Sequence, residues 1–140
     1  MEANLLAIFI DTSIFVALRN AEDINHQKSK ELMMAALKGD WGRIYTSDYI
    51  VDEAITTALA RTKRHDIAVD VGTYILDSPR FIKLSIDDET FNKAWTKFKT
   101  FKDSGLSFTD CTSLALTQAQ GIKQILSFDC GFDGLMQRLC

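Results

Sequence analysis

The chain has 140 residues, 46% hydrophobic and 25% charged, which reads as one globular domain over 1–140, long enough to bury a core without staples. Its formal net charge of −3 does not advertise nucleic-acid binding, although carboxylates gathered at a metal site would lower the formal count. No apolar run approaches the ~18 residues of a membrane span, and the N-terminus lacks a signal pattern. The cysteines (Cys111, Cys130, Cys140) are an odd set without a close pair, which excludes a disulfide framework or thiolate zinc site and leads us to expect a cytoplasmic setting.

Leu5–Ile10 predicts a first strand, apolar enough to be buried on both faces. Thr12-Ser13 offers N-cap chemistry for a helix over Ile14, Phe15, Ala17 and Leu18. Asn20 to Asn25 reads as a loop. A helix with Leu32, Met33, Ala36 and Leu37 on its apolar face follows and stops at Gly39. Gly42–Thr46 is a short strand, after which Ser47 or Asp48 caps a helix with Ile50, Ala54, Ile55, Ala58 and Leu59 as its stripe. His65-Asp66 leads into a helix through Val69, Thr73 and Leu76, ended by Ser78-Pro79. Arg80–Leu84 is a strand, and Asp87-Asp88-Glu89 opens a helix whose expected core face is Phe91, Ala94, Trp95 and Phe98. Gly105 breaks it. Ser107 or Thr109 caps the next helix, which runs to Gly121, and Gln124–Phe128 is the final strand before a tail punctuated by Gly131 and Gly134. Strands separated by helices imply a three-layer α/β fold around a central parallel sheet.

Four acids stand where this pattern places ligands. Asp11 and Asp129 follow the two most apolar strands, and ligands of a parallel sheet collect beyond its carboxyl edge. Asp110 lies in the first turn of a helix, where free N–H groups and the dipole favour an ionised carboxylate. Glu53 sits off its helix's apolar stripe, and neighbouring Asp52 points about 100° away. If the strands ending at Asp11 and Asp129 lie side by side, these carboxylates share a pocket. They would repel each other unless a cation joined them, which points to a divalent metal and metal-assisted phosphodiester hydrolysis.

Ile10-Asp11-Thr12-Ser13, Asp52-Glu53-Ala54, Ser107-Phe108-Thr109-Asp110 and Ser127-Phe128-Asp129 resemble, in order and spacing, the motifs of the PIN domain family, particularly its small VapC-like ribonuclease toxins. The resemblance covers essentially the whole chain. It implies a PIN-like sheet flanked by helices and a metal-dependent endoribonuclease of a toxin–antitoxin pair. Asp11, Glu53, Asp110 and Asp129 would be both catalytic and ligands of Mg²⁺ or Mn²⁺, hard ions suited to carboxylates. Thr12, Ser13 and Asp133 would be secondary site contacts. It further implies an RNA substrate, a homodimer and an antitoxin protein as partner.

Substrate contact would fall to cations: Arg19 after the first helix, and Arg61, Lys63 and Arg64 in a short basic cluster; Lys97, Lys99 and Lys102 read as solvated. His26 and His65 read as surface residues, which disfavours metal-independent histidine chemistry. Cys111 and Cys130 read as small buried neighbours of the site. Other readings stay open: a catalytically silent PIN-like binding module, and an RNA-processing nuclease without an antitoxin. A dehalogenase-type phosphatase is disfavoured because Thr12-Ser13 follows Asp11, where a second Asp is needed two residues on. A receiver domain is disfavoured because the last strand ends in Asp129, not Lys.

Overall fold

The computed structural model describes residues 6–140, so Leu5 of the expected first strand lies outside the described residues. Its elements are β1 (Ala7–Ile10), α1 (Thr12–Leu18), α2 (His26–Leu37), β2 (Arg43–Ser47), α3 (Asp48–Thr62), α4 (His65–Leu76), β3 (Phe81–Leu84), α5 (Asp88–Thr100), α6 (Phe108–Gln120), β4 (Gln124–Leu126) and β5 (Gln137–Leu139). Among the described residues five parallel strands form one sheet in the order β3-β2-β1-β4-β5, flanked by helices as a three-layer α/β fold. The most apolar strand takes the centre: Ile8, Phe9 and Ile10 of β1 are fully buried, covered from both sides.

The strand order answers the adjacency question. Phe9 pairs with Ile125 and Ile10 with Leu126, so β1 and β4 end side by side and Asp11 donates its N–H to the Leu126 carbonyl at 3.0 Å. The expected final strand is shorter than Gln124–Phe128, because Phe128 turns its N–H to the Ser13 hydroxyl instead of a ladder partner. Nor is it the last strand. The tail returns through a 3-10 turn over Cys130–Phe132 and adds β5 as a parallel edge, whose Leu139 carbonyl accepts the Ser127 N–H. Three residues, Gln-Arg-Leu, carry too little alternation to announce a strand.

Two helices are turned relative to the residues named from the sequence, with Ala94 of α5 buried as expected. On α4 the buried residues are Ala68, Val71, Gly72 and Ile75, while Val69, Thr73 and Leu76 face outward. Gly72 explains the rotation: a Cβ there would stand 2.9 Å from Ile55 Cδ1, so its missing side chain is what lets α3 approach. On α5 only Thr90 and Ala94 are buried, and Phe91, Trp95 and Phe98 flank that contact half-exposed. On α5 small residues make the contact and the larger apolar groups are left at its margin, whereas α4 buries Val71 and Ile75 beside Ala68 and Gly72. Leu59 is likewise exposed on α3, and Cys130 is exposed while Cys111 is buried.

Gly42 shows the backbone close to its steric limit. Its φ is +83°, and a Cβ would fall 2.1 Å from the Leu6 carbonyl oxygen, whereas Gly39 at φ +91° faces open space. Gly39→Ala is expected to cost about 1–2 kcal/mol, the left-handed penalty alone. Gly42→Ala carries the same penalty plus a backbone clash, so it is expected to cost roughly twice as much. Urea midpoints of the two variants check the difference; equal midpoints would refute the close approach.

Candidate active site at the sheet edge

Asp11 occupies the N-cap position of α1, yet its side chain caps nothing; Thr12 and Ser13 are already helical and do not cap either. The Asp11 side chain is turned into the protein, only 3% exposed, where Oδ2 accepts the Ser127 hydroxyl at 2.6 Å and Oδ1 has no hydrogen-bond partner. Burial pushes its pKa up to about 7; the Ser127 bond pulls the other way, and the neighbouring charges of Asp110 and Glu53 add to the rise. A buried carboxylate oxygen with no donor is costly unless something cationic satisfies it.

Asp110 is held by a capping box at the start of α6: Ser107 N–H donates to Asp110 Oδ2 at 2.9 Å and Asp110 N–H to Ser107 Oγ at 3.0 Å. Burial pushes its pKa up to about 6, against the Ser107 N–H bond and reinforced by Asp129 and Glu53. Ser107→Ala should therefore cost about 1–2 kcal/mol. A urea midpoint unchanged by Ser107→Ala would remove the capping box from the account.

Glu53 reaches across from α3 to accept the Thr12 hydroxyl at 2.6 Å. Asp129 lies on the turn after β4, its Oδ1 accepting the Gly131 N–H at 2.9 Å. One hydroxyl joins two of the acids: Ser127 Oγ donates to Asp11 and accepts the Asp129 N–H at 2.9 Å. Sequence patterning assigns Ser127 no role; its only signal is a small polar residue closing an apolar strand two positions before an acid.

Asp11, Thr12, Ser13, Glu53, Asp110 and Asp129 line one cavity of about 550 Å³, whose outer wall is Asp23, Ile24, Asn25, Thr57 and Arg61. As they lie, each acid is held by its own donor, and among the described residues no three of them converge to metal-holding distance. The donor set still fits a hard divalent ion: it is all oxygen, two of its members are raised in pKa by burial and by their neighbours, and Asp11 Oδ1 is buried and unsatisfied.

The remaining predicted residues are placed differently. Asp133 does not line the cavity; it pairs with Arg138 at 2.7 Å, and Arg138 also donates to the Ser127 carbonyl at 3.2 Å, bracing the turn that carries Asp129. Of the expected substrate cations, Arg61 lines the cavity, 3.9 Å from Asp23. Arg19 is engaged by both oxygens of Asp70 and lies 4.8 Å over the Tyr74 ring, and Arg64 is paired with Asp66. Lys63 is exposed at the left-handed C-cap of α3. His65 is exposed; His26 is half-buried against the Ala17 carbonyl; neither lines the cavity. No helix among the described residues is long and apolar enough to cross a membrane.

The profile of the PIN domain matches residues 8–135. The chain is 31% identical over 126 residues to the 23S rRNA-specific endonuclease VapC20 of Mycobacterium tuberculosis, covering 89% of this chain and 91% of that one. It is 28% identical over 128 residues to the VapC ribonuclease of Archaeoglobus fulgidus, covering 91% of this chain and 80% of that one. The solved structure of M. tuberculosis VapC20, a sarcin–ricin-loop-cleaving toxin, matches with a TM-score of 0.82 at 28% identity, over 93% of this chain and 97% of that one.

Proposed function

The chain belongs to the PIN domain family, and we propose that it is an endoribonuclease toxin of a toxin–antitoxin pair that hydrolyses RNA phosphodiester bonds with Mg²⁺ or Mn²⁺ held by Asp11, Glu53, Asp110 and Asp129. The observation that carries the reading is the free, buried oxygen of Asp11 among three other carboxylates, at the carboxyl edge of β1 and β4. That similar proteins are ribonucleases, one of them a toxin, supports the activity and an antitoxin protein as partner. A homodimer belongs to the same proposal and is read by light scattering.

When bound, the ion supplies a water acidified towards neutral pH and neutralises charge on the phosphoryl oxygens. The chain's own residues do the positioning. Ser127 fixes one oxygen of Asp11 and leaves the other without a donor, and the same hydroxyl sets the Asp129 backbone. Thr12 orients Glu53, and the capping box orients Asp110. Arg61, on the outer wall, stands where a phosphate entering the cavity would meet a cation.

Labelled RNA, including a sarcin–ricin stem-loop and a single-stranded control, is expected to be cut by the purified protein with Mn²⁺ or Mg²⁺ and left intact in EDTA. Cutting that persists undiminished in EDTA would overturn the metal assignment. Folded, metal-binding protein that cuts none of a broad RNA panel would favour the silent binding module.

A further inference from the structure

The half-exposed aromatic flank of α5 is unexplained by the fold or by the acidic cavity. Phe91, Trp95 and Phe98 are 42, 49 and 40% exposed, a large apolar area for one helix face. The three follow at i, i+4 and i+7, so they form one continuous ridge. Trp95 and Phe98 are stacked, 6.1 Å between centroids and 16° between planes. Phe91 and Phe98 both pack edge-on against Phe108, at 5.1 and 6.2 Å. Phe108 opens α6, between Ser107, which lines the cavity, and Asp110, which holds its floor. Through Phe108 the ridge therefore packs against the first turn of α6, which carries Asp110 of the candidate active site.

α5 carries Lys93, Lys97 and Lys99 against Asp88 and Glu89, but Lys93 and Lys97 lie across the helix from the rings, so Lys99 is the cation of the ridge. Lys93 is paired with Glu89, whereas the Lys99 ammonium lies 5.5 Å over the Trp95 ring. The cavity itself needs such help, because Arg19 and Arg64 are spent on Asp70 and Asp66 and leave Arg61 on its wall. Exposed rings beside a cation meet the physical requirement for holding unpaired bases: every base has a π-face to stack, and a cation meets the phosphate next to it. A protein interface core, by contrast, is depleted of lysine.

We propose that Phe91, Trp95 and Phe98, with Lys99, form a stacking platform for unpaired RNA bases next to the phosphodiester held at the acidic cavity. This rests on the ribonuclease reading for the identity of the ligand, but not on turnover. Preference for single-stranded loops over paired RNA follows, because a base inside a duplex presents no free face.

The test is binding of a fluorescein-labelled ten-nucleotide oligouridylate to the full chain in EDTA, where the proposed chemistry is silent, with affinity read by fluorescence anisotropy in every variant and tryptophan quenching read in the proteins that keep Trp95. Trp41→Phe leaves Trp95 as the reporter, since these are the two tryptophans of the chain. Oligouridylate is expected to quench Trp95, a fully paired RNA of the same length to compete poorly, and Trp95→Ala/Phe98→Ala to weaken binding at least about tenfold, with Trp95→Phe retaining most of it. Circular dichroism and urea midpoints verify that the double variant is folded, as its exposed positions require. Unchanged affinity in the folded double variant, or no quenching of Trp95, overturns the platform while leaving metal-dependent cleavage untouched. A drop in molar mass of the double variant by light scattering, with RNA affinity unchanged, assigns the ridge to a second copy of the chain and also overturns it. Loss of cleavage control by metal, with quenching intact, sinks the catalytic reading and not the platform.

Discussion

Asp11→Asn is expected to lower RNA cleavage by about a thousandfold or more at saturating Mg²⁺ or Mn²⁺, because the charge stabilisation supplied through a metal ligand is worth several kcal/mol of barrier. The substitution is nearly isosteric, and an amide can keep a hydrogen bond with the Ser127 hydroxyl now 2.6 Å from Oδ2, so the site's shape survives. What it removes is the charge on an oxygen that has no donor of its own. Metal affinity measured by calorimetry should fall alongside the rate. Ser127→Ala offers the graded comparison: it keeps all four acids but releases both Asp11 and the Asp129 backbone, and the loss expected for a residue that only orients ligands is about 10–100-fold. Full activity in folded Asp11→Asn would end the carboxylate mechanism. A loss in Ser127→Ala as deep as that of Asp11→Asn would mean that the serine does more than orient.

Asp11 is legible in the sequence because the strand that precedes it is uninterruptedly apolar, and burial on both faces leaves its end at the ligand edge of the sheet. The same logic finds Asp129, and the turn chemistry of Ser107-Phe108-Thr109-Asp110 finds Asp110. The pairing of β1 with β4, which brings the two strand-end acids to one cavity, is a tertiary fact that no local pattern encodes. The bracing by Ser127 and Arg138 is tertiary too, since their partners lie across strand and turn. The docking contacts of α4 and α5 are only partly legible for a different reason. Hydrophobic periodicity finds Ala94 but ranks residues by size and apolarity, so it passes over Ala68, Gly72 and Thr90, and at Gly72 the absence of bulk sets how near α3 comes. On α5 the larger rings stand at the rim of that contact as an aromatic ridge.

Without metal, the protein is expected to lose stability as pH rises from about 5 to 7.5, the reverse of ordinary acid denaturation. Asp11 and Asp110 are raised from the usual 3.8 to about 7 and about 6 in the fold, chiefly by burial. Between the unfolded and folded values the native state keeps protons that the unfolded chain has released, so it binds more of them, and stability falls with increasing pH. The contribution is fully present below about 4 and gone once pH passes the folded values. Every tenfold difference in proton affinity between the folded and unfolded chain corresponds to about 1.4 kcal/mol, and the two acids interact, so the combined loss is on the order of a few kcal/mol. Asp70, Asp87 and Asp133 are depressed by Arg19, the Thr90 N–H and Arg138, so they act below about 4, outside this window. Glu53 and Asp129 face the same cavity from α3 and the turn after β4, and Arg61 from its wall, so their charges set the repulsion that a cation relieves. Saturating Mg²⁺ or Mn²⁺ should reverse the slope, because the ion binds the ionised carboxylates of the folded state and adds roughly 2.7 kcal/mol at a hundred times its Kd. Urea midpoints between pH 5 and 7.5, in EDTA and with metal, measure both slopes. Asp11→Asn should flatten most of the metal-free slope, and metal-free midpoints that rise with pH in the unsubstituted protein would contradict the burial of these acids. The carboxylates whose burial lowers the stability of the metal-free protein as pH rises are thus the groups that the proposed ion would pair with.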